Sequence, residues 1–404
     1  MGNKLSGWIK DALGIFRRET SLVLHDSGVM LIFIAAGFGY PILYNAMYHN
    51  GVLEDTPIAV VDLSNSSASR RFVQKVDATR ELDVAYKCTD MAEAEKLFQE
   101  RNVNGIIFFP EDFEDKIAAN ETATLSIYAD MSSFLYYKNL MLGANFVMLD
   151  EIKNIEVRRY SMTGMDGEQI KELTSAIPYE ENNPYNRTFS YTIFFLSAVL
   201  LLVIQQVMFF GMAMASGTMR ERGESFALCK NYLSGRGTGR IVLGRGLFYW
   251  LLFLLIGLYI VYIVPAIFGF PQRGNFSDML VLLLIFVTDC VFFSMVWSSI
   301  VTRREAGLLL FLFASPILLF LTGFSWPEAA FPSYWKYFSY LFPTTFGCRA
   351  FINMNTAGAD LYMVRDLIQG LLGQTAVYFL LACLMVHIEN RVLKSSPLEN
   401  SFPK

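Results

Sequence analysis

Cysteine and histidine are scarce in this chain. Its five cysteines are Cys88, Cys229, Cys290, Cys348 and Cys383, and its three histidines are His25, His49 and His387. The cysteines are scattered, with no C-x-x-C pair and no zinc-ligand spacing, which argues against a zinc-stapled fold. With so few imidazoles, a metal site or a His-activated nucleophile is not expected. Cys290 and Cys383 fall within apolar runs, where a free thiol acts as a small hydrophobe. Charge is also sparse, at 17% of residues against about 25% in a soluble domain. No nucleotide-cradling G-x-x-x-x-G-K-[ST] is present. The nearest stretch, Gly235–Arg240, has no Lys-Ser or Lys-Thr after it and no strand before it. It reads as a flexible basic turn beside anionic lipid. A cleavable leader is not expected either, because the first apolar run starts late, is long, and has no small-residue cleavage site after it.

What the chain has in quantity is long apolar runs. One stands alone at 29–48, and five more lie near 189–215, 246–268, 279–301, 306–324 and 366–388. Each approaches the ~20 residues that a helix needs to cross a bilayer. Between the first and second runs, residues 49–188 have soluble composition, with 24 acidic and 14 basic side chains. The remainder holds 13 acidic and 19 basic, so an acidic soluble domain is joined to a basic membrane part.

Lysine and arginine set the expected orientation. The segments 1–28, 216–245, 302–305 and 389–404 carry fifteen of them. The short opposite loops carry four: Arg273, Lys336, Arg349 and Arg365. Both termini are therefore expected in the cytoplasm and 49–188 outside. Over 4–18 an apolar stripe (Leu5, Trp8, Ile9, Ala12, Leu13, Phe16) opposes Lys4, Lys10, Asp11 and Arg17. This predicts an amphipathic helix, either lying in the inner membrane interface or packed on the other spans.

Within 49–188, strand signals at 57–62, 82–86, 103–109 and 123–129 alternate with helix signals at 66–76 and 90–99. This predicts a layered α/β domain. A long helical pattern follows over 133–161, and Pro178 and Pro184 mark the return to the membrane. The expected architecture is an α-helical six-span bundle, one plus five, with an inserted extracytoplasmic α/β domain. Its parts are an interface helix (1–28), a first span (29–48), the outer domain (49–188), five spans (189–388) and a tail (389–404).

Three places invite a functional reading. The loop 216–245 is the largest on the inner side. Arg220, Glu221, Arg222, Gly223, Glu224, Phe226 and Leu228 should form a helical extension, a break and a short helix. Between the last two spans, Gly323, Pro327, Pro332, Trp335 and Pro343 crowd a stretch that predicts a re-entrant or interfacial hairpin at 325–345. Irregular backbone near membrane depth must be buried in protein or line a cavity. Third, Asp289, Gln205 and Gln206 lie inside spans. Intramembrane carboxylates face a bundle interior or a wet pathway, and glutamines there serve as pathway groups or as interhelical glue. Two pattern matches carry no weight: Met1–Ser6 as a lipidation signal, and sequons at Asn65, Asn120, Asn186 and Asn275.

In order and spacing the chain resembles a type-2 ABC exporter permease of the bacterial subgroup with a large extracytoplasmic domain. Pro57–Asp62 is similar to that family's opening outer-domain strand. Gly105–Phe113 is similar to its strand–Pro–acidic–Phe element, Glu221-Arg222-Gly223 to the start of its coupling helix, and Gly323–Pro343 to its outer hairpin. Where the family commonly has Thr after the coupling-region Gly, this chain has Glu224, and the proline that often ends that helix is absent around 231–234. The resemblance implies a bacterial inner-membrane permease subunit without its own nucleotide site. ATP and Mg would be held by a separate ABC ATPase docked on 220–233. Two permease chains, identical or paralogous, would form the pathway, with a membrane-fusion adaptor as a further partner, lipid around them and no nucleic acid. The competing expectations are an envelope sensor or scaffold that uses its outer domain, and an ion-coupled carrier resting on Asp289.

Overall fold

The computed structural model describes residues 2–174, 185–186, 190–223 and 238–395. The chain divides into two compact units: Met1–Gly51 with Pro184–Lys404, and Val52–Asn183.

The first unit is helical. Helix α1 spans Gly2–His25 and ends because the Asp26 side chain accepts the N–H groups of Gly28 and Val29, capping a new helix, α2 (Ser27–Ile34). A π-turn at Ala35–Gly39 leads into α3 (Tyr40–Met47), which carries Pro41 in its first turn. Proline offers no N–H to the turn before it, and the widened turn absorbs the missing bond. Together Ser27–Met47 is long and apolar enough to cross a membrane.

The second unit begins with β1 (Thr56–Asp62), then α4 (Ser67–Asp77), β2 (Leu82–Cys88), α5 (Met91–Gln99), β3 (Gly105–Phe109), α6 (Phe113–Ala118), β4 (Ser126–Ala129), α7 (Phe134–Met162) and α8 (Gly167–Thr174). The four strands make one small sheet in the order β2-β1-β3-β4. β1 runs parallel to β2 and β3, and β4 runs antiparallel to β3. Ile58, Val60 and Ile107 pack with Phe72, Val76 and Leu140 on one face. Ala59, Val61 and Ile106 pack with Ala94 and Val103 on the other. Burial on both faces explains why β1 and β3 read as continuous apolar runs rather than alternating ones. Gly105 lets α7 come close, since a Cβ there would stand 2.4 Å from Leu140. Helix starts are fixed by Ser66, which forms a reciprocal box with Ser69, and by Asp90.

The first unit resumes with α9 (Tyr191–Glu221) and α10 (Thr238–Leu258). A second π-turn, Tyr259–Ile263, precedes Pro265 in α11 (Val264–Phe268). Then come α12 (Phe276–Ser298), α13 (Arg304–Leu321), α14 (Ser333–Ser339), α15 (Pro343–Ala357) and α16 (Arg365–Ser395). Among the described residues, six segments have the length and composition of membrane spans: Ser27–Met47, Ala198–Glu221, Thr238–Phe268, Phe276–Ser298, Arg304–Leu321 and Arg365–Glu389. α9 and α12 form the centre, 78% and 72% buried over their most apolar windows, whereas α13 and α16 are only 17% buried. Large apolar side chains on α13 (Leu309, Leu312, Phe313, Phe320) point outward, as a lipid-facing or partner-facing helix requires. Phe33 of α2 sits against Gly211 of α9, where a Cβ would stand 2.0 Å from the ring. Its edge meets Tyr249 and Phe253 of α10.

One expectation changes in detail. The N-terminal helix is 24 residues long rather than spanning 4–18, and it packs on α10. Asp11 does not face away with the lysines: it is buried and paired with Arg240, and Glu19 is buried against Arg245. The carboxylates turn inward because arginines wait there. Gly244 allows the approach, since a Cβ on it would stand 2.6 Å from the Ala12 carbonyl.

Candidate functional site

At the loop end of the bundle, where α9 stops before α10 begins, polar side chains tie together helices that are distant in sequence. The Arg304 guanidinium donates to both Asp26 oxygens, at 2.9 and 3.0 Å, and to Thr218 Oγ1 at 3.2 Å. The Arg304 backbone N–H donates to Glu221 at 2.8 Å. Gly28 makes room, because a Cβ on it would stand 2.1 Å from Arg304 Nη2. Burial pushes the Asp26 carboxyl up, but its bonds from Arg304, Val29 and Gly28 outweigh that and hold it below the usual aspartate value. Deeper in, Glu19 Oε1 accepts from Arg245 at 3.1 Å and from the Tyr249 hydroxyl at 2.7 Å, while Arg245 also donates to Ser216 at 2.6 Å. Arg220 donates to the Val301 carbonyl, and its guanidinium lies 3.9 Å from Glu389 of α16.

Both stems of the 222–237 stretch are thus fastened. The α9 stem is tied to α2, α13 and α16, and the α10 stem to α1. Helix α9 ends at Glu221 and the chain turns at Gly223, whose φ of +69° suits glycine. Arg222 and Gly223 are exposed. Glu224, Phe226 and Leu228 lie outside the described residues. The constellation joins helices that lie far apart in sequence. Buried charge pairs hold their helices in fixed geometry because parting them strands a charge, at a cost of about 3–5 kcal/mol.

At the opposite end, the stretch from Gly323 to Pro343 is organised around Glu328. Its carboxylate accepts from the Tyr340 hydroxyl at 2.7 Å, pairs with Lys336 at 3.4 Å, and pairs with Arg349 of α15. Burial pushes this carboxyl up, and Tyr340, Arg349 and Lys336 together pull it below the usual glutamate value. Gly323 has φ +78°, and a Cβ on it would stand 2.5 Å from the Arg349 side chain. Each proline starts a piece of structure: Pro327 a short 3-10 turn, Pro332 the helix α14, Pro343 the first turn of α15.

Between these ends lies an apolar cleft of about 850 Å³. It is lined by Phe209 of α9, Phe293 and Trp297 of α12, Phe313 of α13, Trp335 of α14 and Phe342. Trp335 therefore belongs to the cleft wall. Gln205 and Gln206 do not line it. Gln205 Oε1 accepts the Thr344 backbone N–H at 2.9 Å, and Gln206 exchanges hydrogen bonds with Ser315 of α13 at 3.1 and 3.4 Å. Asp289 is fully buried in α12 and shares no hydrogen bond with either glutamine. Among the described residues, no group of three or more His, Cys, Asp or Glu side chains is placed to hold a metal ion.

The first unit thus combines six candidate spans among the described residues, two fastened loop stems and an aromatic cleft open along α13, and comparison of the sequence with family models supplies the family. The model described as ABC-2 family transporter protein matches residues 28–384. The chain belongs to the ABC-2 transporter family. It is a multi-pass membrane protein and a permease component of an ABC transporter. No curated protein matches it.

In this ABC-2 chain the sequence reading missed the ionic fastenings. Asp11, Glu19 and Asp26 follow one another at eight and seven residues, a spacing that keeps all three near one face of a helix. Carboxylates in register on an otherwise apolar and basic helix were the available signal. Glu328 and Arg349 had none, since the turn that brings them together is irregular.

Proposed function

We propose that this chain is the membrane-spanning permease of an ATP-driven exporter, powered by a separate ABC ATPase that holds the ATP and Mg. Residues 216–245 and both termini face the cytoplasm, and 49–188 lies outside. The ATPase presses on 220–233, where Arg220, Glu221, Arg222, Gly223, Glu224, Phe226 and Leu228 form the contact. The observation that carries this reading is the set of ion pairs and hydrogen bonds that fastens the α10 stem to α1 and the α9 stem to α2, α13 and α16. A loop that only linked two spans would not need them. A push on it tilts α13 against α9, and those two helices form walls of the aromatic cleft. Cargo with a large apolar surface enters that cleft from the cytoplasm or inner leaflet. Two permease chains build the full path, which the exposed apolar face of α13 favours. The hairpin formed by Gly323, Pro327, Pro332, Trp335 and Pro343 closes the outer side. The outer domain extends the exit or meets an envelope adaptor.

The test is purification from native membranes of the intact complex that contains this chain. An ABC ATPase subunit should co-purify. ATP should drive uptake of apolar cargo into inverted vesicles, and Phe313→Asp, which places charge in the cleft, should abolish uptake while hydrolysis continues. Isolation without any ATPase, or uptake indifferent to ATP, contradicts the proposal.

A further inference from the structure

Asp289 has no role in the mechanism above, and its surroundings are distinctive. It stands 13 residues into the 23-residue helix α12, so about 16 Å of helix separates it from Asp278 near the helix start. Its side chain is fully buried, and neither carboxyl oxygen has a hydrogen-bond partner. It is not among the residues that line the aromatic cleft.

The packing around it can be placed by its neighbours. Phe286 and Phe293, three before and four after it, share its face of the helix, and Cys290 is its chain neighbour. Phe286 lies against Gly347 of α15, where a Cβ would stand 2.4 Å from the ring. Phe293 lies 6.0 Å, centroid to centroid, from Phe342, just before α15 begins. α15 therefore runs antiparallel to α12, and Asp289 falls level with its first turn, Pro343–Phe346. That turn holds the second unusual feature. Thr344 donates its N–H to Gln205 Oε1, but Thr344 Oγ1 and Gln205 Nε2 are themselves buried without partners. From α16, Tyr378 packs its ring 5.4 Å from Phe293 and spends its hydroxyl proton on the Leu341 carbonyl. From α10, Trp250 donates to Thr288, the neighbour of Asp289, at 3.0 Å. Among the described residues, the titratable groups around this region are Tyr378 and the thiols of Cys290 and Cys348, with the Arg349 guanidinium next along α15 but turned to Glu328 and the Thr322 carbonyl. The positive end of the α15 helix dipole is a favourable field on the carboxyl.

An ionised carboxylate without partners is far too costly in such a place. We propose that Asp289 is a proton-binding site, holding its carboxyl as the neutral acid midway along α12 against the first turn of α15. The step is proton addition alone: the carboxylate gains one proton to become the acid, with no other reactant. The acid O–H is then the group that lets α12, α15 and α16 close together. Loss of the proton and tight seating of α15 exclude each other, so alkaline conditions loosen this seam. The inference rests on the membrane-spanning fold and not on the exporter reading.

The test uses the full-length chain in lipid nanodiscs with carbonyl-labelled aspartate. Infrared spectra should show a protonated aspartic acid band at neutral pH that is missing in Asp289→Asn. Should that variant not fold, Asp289→Glu moves the band to glutamate-labelled samples instead. An ionised Asp289 band at neutral pH overturns the proposal. So does a band that appears only when sodium or potassium is replaced by choline, which would assign a cation instead of a proton.

Discussion

Asp26 and Arg304 meet through two hydrogen bonds of 2.9 and 3.0 Å, although 278 positions separate them in the chain. The same Asp26 carboxylate caps α2. One side chain thus sets where the first span begins and where the fifth span is held.

Arg304→Ala should destabilise the purified protein by about 1.5–3 kcal/mol, the usual worth of charged hydrogen bonds. Asp26→Asn should cost less than Asp26→Ala, because the amide oxygen still caps α2, and loss of a cap alone costs about 1 kcal/mol. Swapping the two charges should fail to restore stability, since an arginine at 26 cannot cap. Thermal unfolding in detergent checks all four.

Gly211→Leu should be poorly tolerated. The added side chain would meet Phe33, whose ring already lies where a Cβ would stand. Overpacking of this kind costs about 1–3 kcal/mol. The shortened Phe33→Ala should relieve part of that loss in the double variant, read by the same unfolding measurement.

Acid should loosen the hairpin. The native Glu328 carboxyl titrates below its ordinary value of 4.5. Its contribution is therefore fully present above that value and is lost as pH falls through the lower native one. Glu328→Gln should remove this part of the acid slope. Fluorescence of Trp335 followed on acidification reports the change.

Gln205→Leu should free the Thr344 amide. Leaving a buried N–H without an acceptor costs about 1–3 kcal/mol. Hydrogen exchange should quicken at Thr344 and in the first turn of α15 while α12 stays protected.

Much of this was legible from composition alone. Runs of apolar residues announced the six spans, and Pro57–Asp62 and Val103–Phe109 read as apolar strands because both faces of the sheet are covered. The stretches Ser64–Ser67 and Thr89–Asp90 marked helix starts through side chains able to accept backbone N–H groups, and the caps are Ser66 and Asp90. Strand order was not legible, since pairing depends on contacts between distant segments. Nor were the short helices α6 and α8, which have too few residues for a periodic signal. The π-turns before Pro41 and Pro265 are local answers to proline that no apolar pattern records. The hairpin prolines pointed to irregular backbone, but not to α15 lying antiparallel to α12. Gln205 could be read as a pathway group or as glue, and its bond to Thr344 is a property of the packed bundle. Of the expected ATPase contact, Arg220 and Glu221 lie in the fastened stem of α9, while Glu224, Phe226 and Leu228 fall outside the described residues.

The most direct measurement is ATP-driven transport by the assembled complex in vesicles after Glu221 and Phe226 are both changed to lysine. The account predicts that transport is lost while the ATPase subunit, still able to hydrolyse ATP, no longer follows the state of the permease. Full coupled transport by a correctly assembled double variant would contradict it.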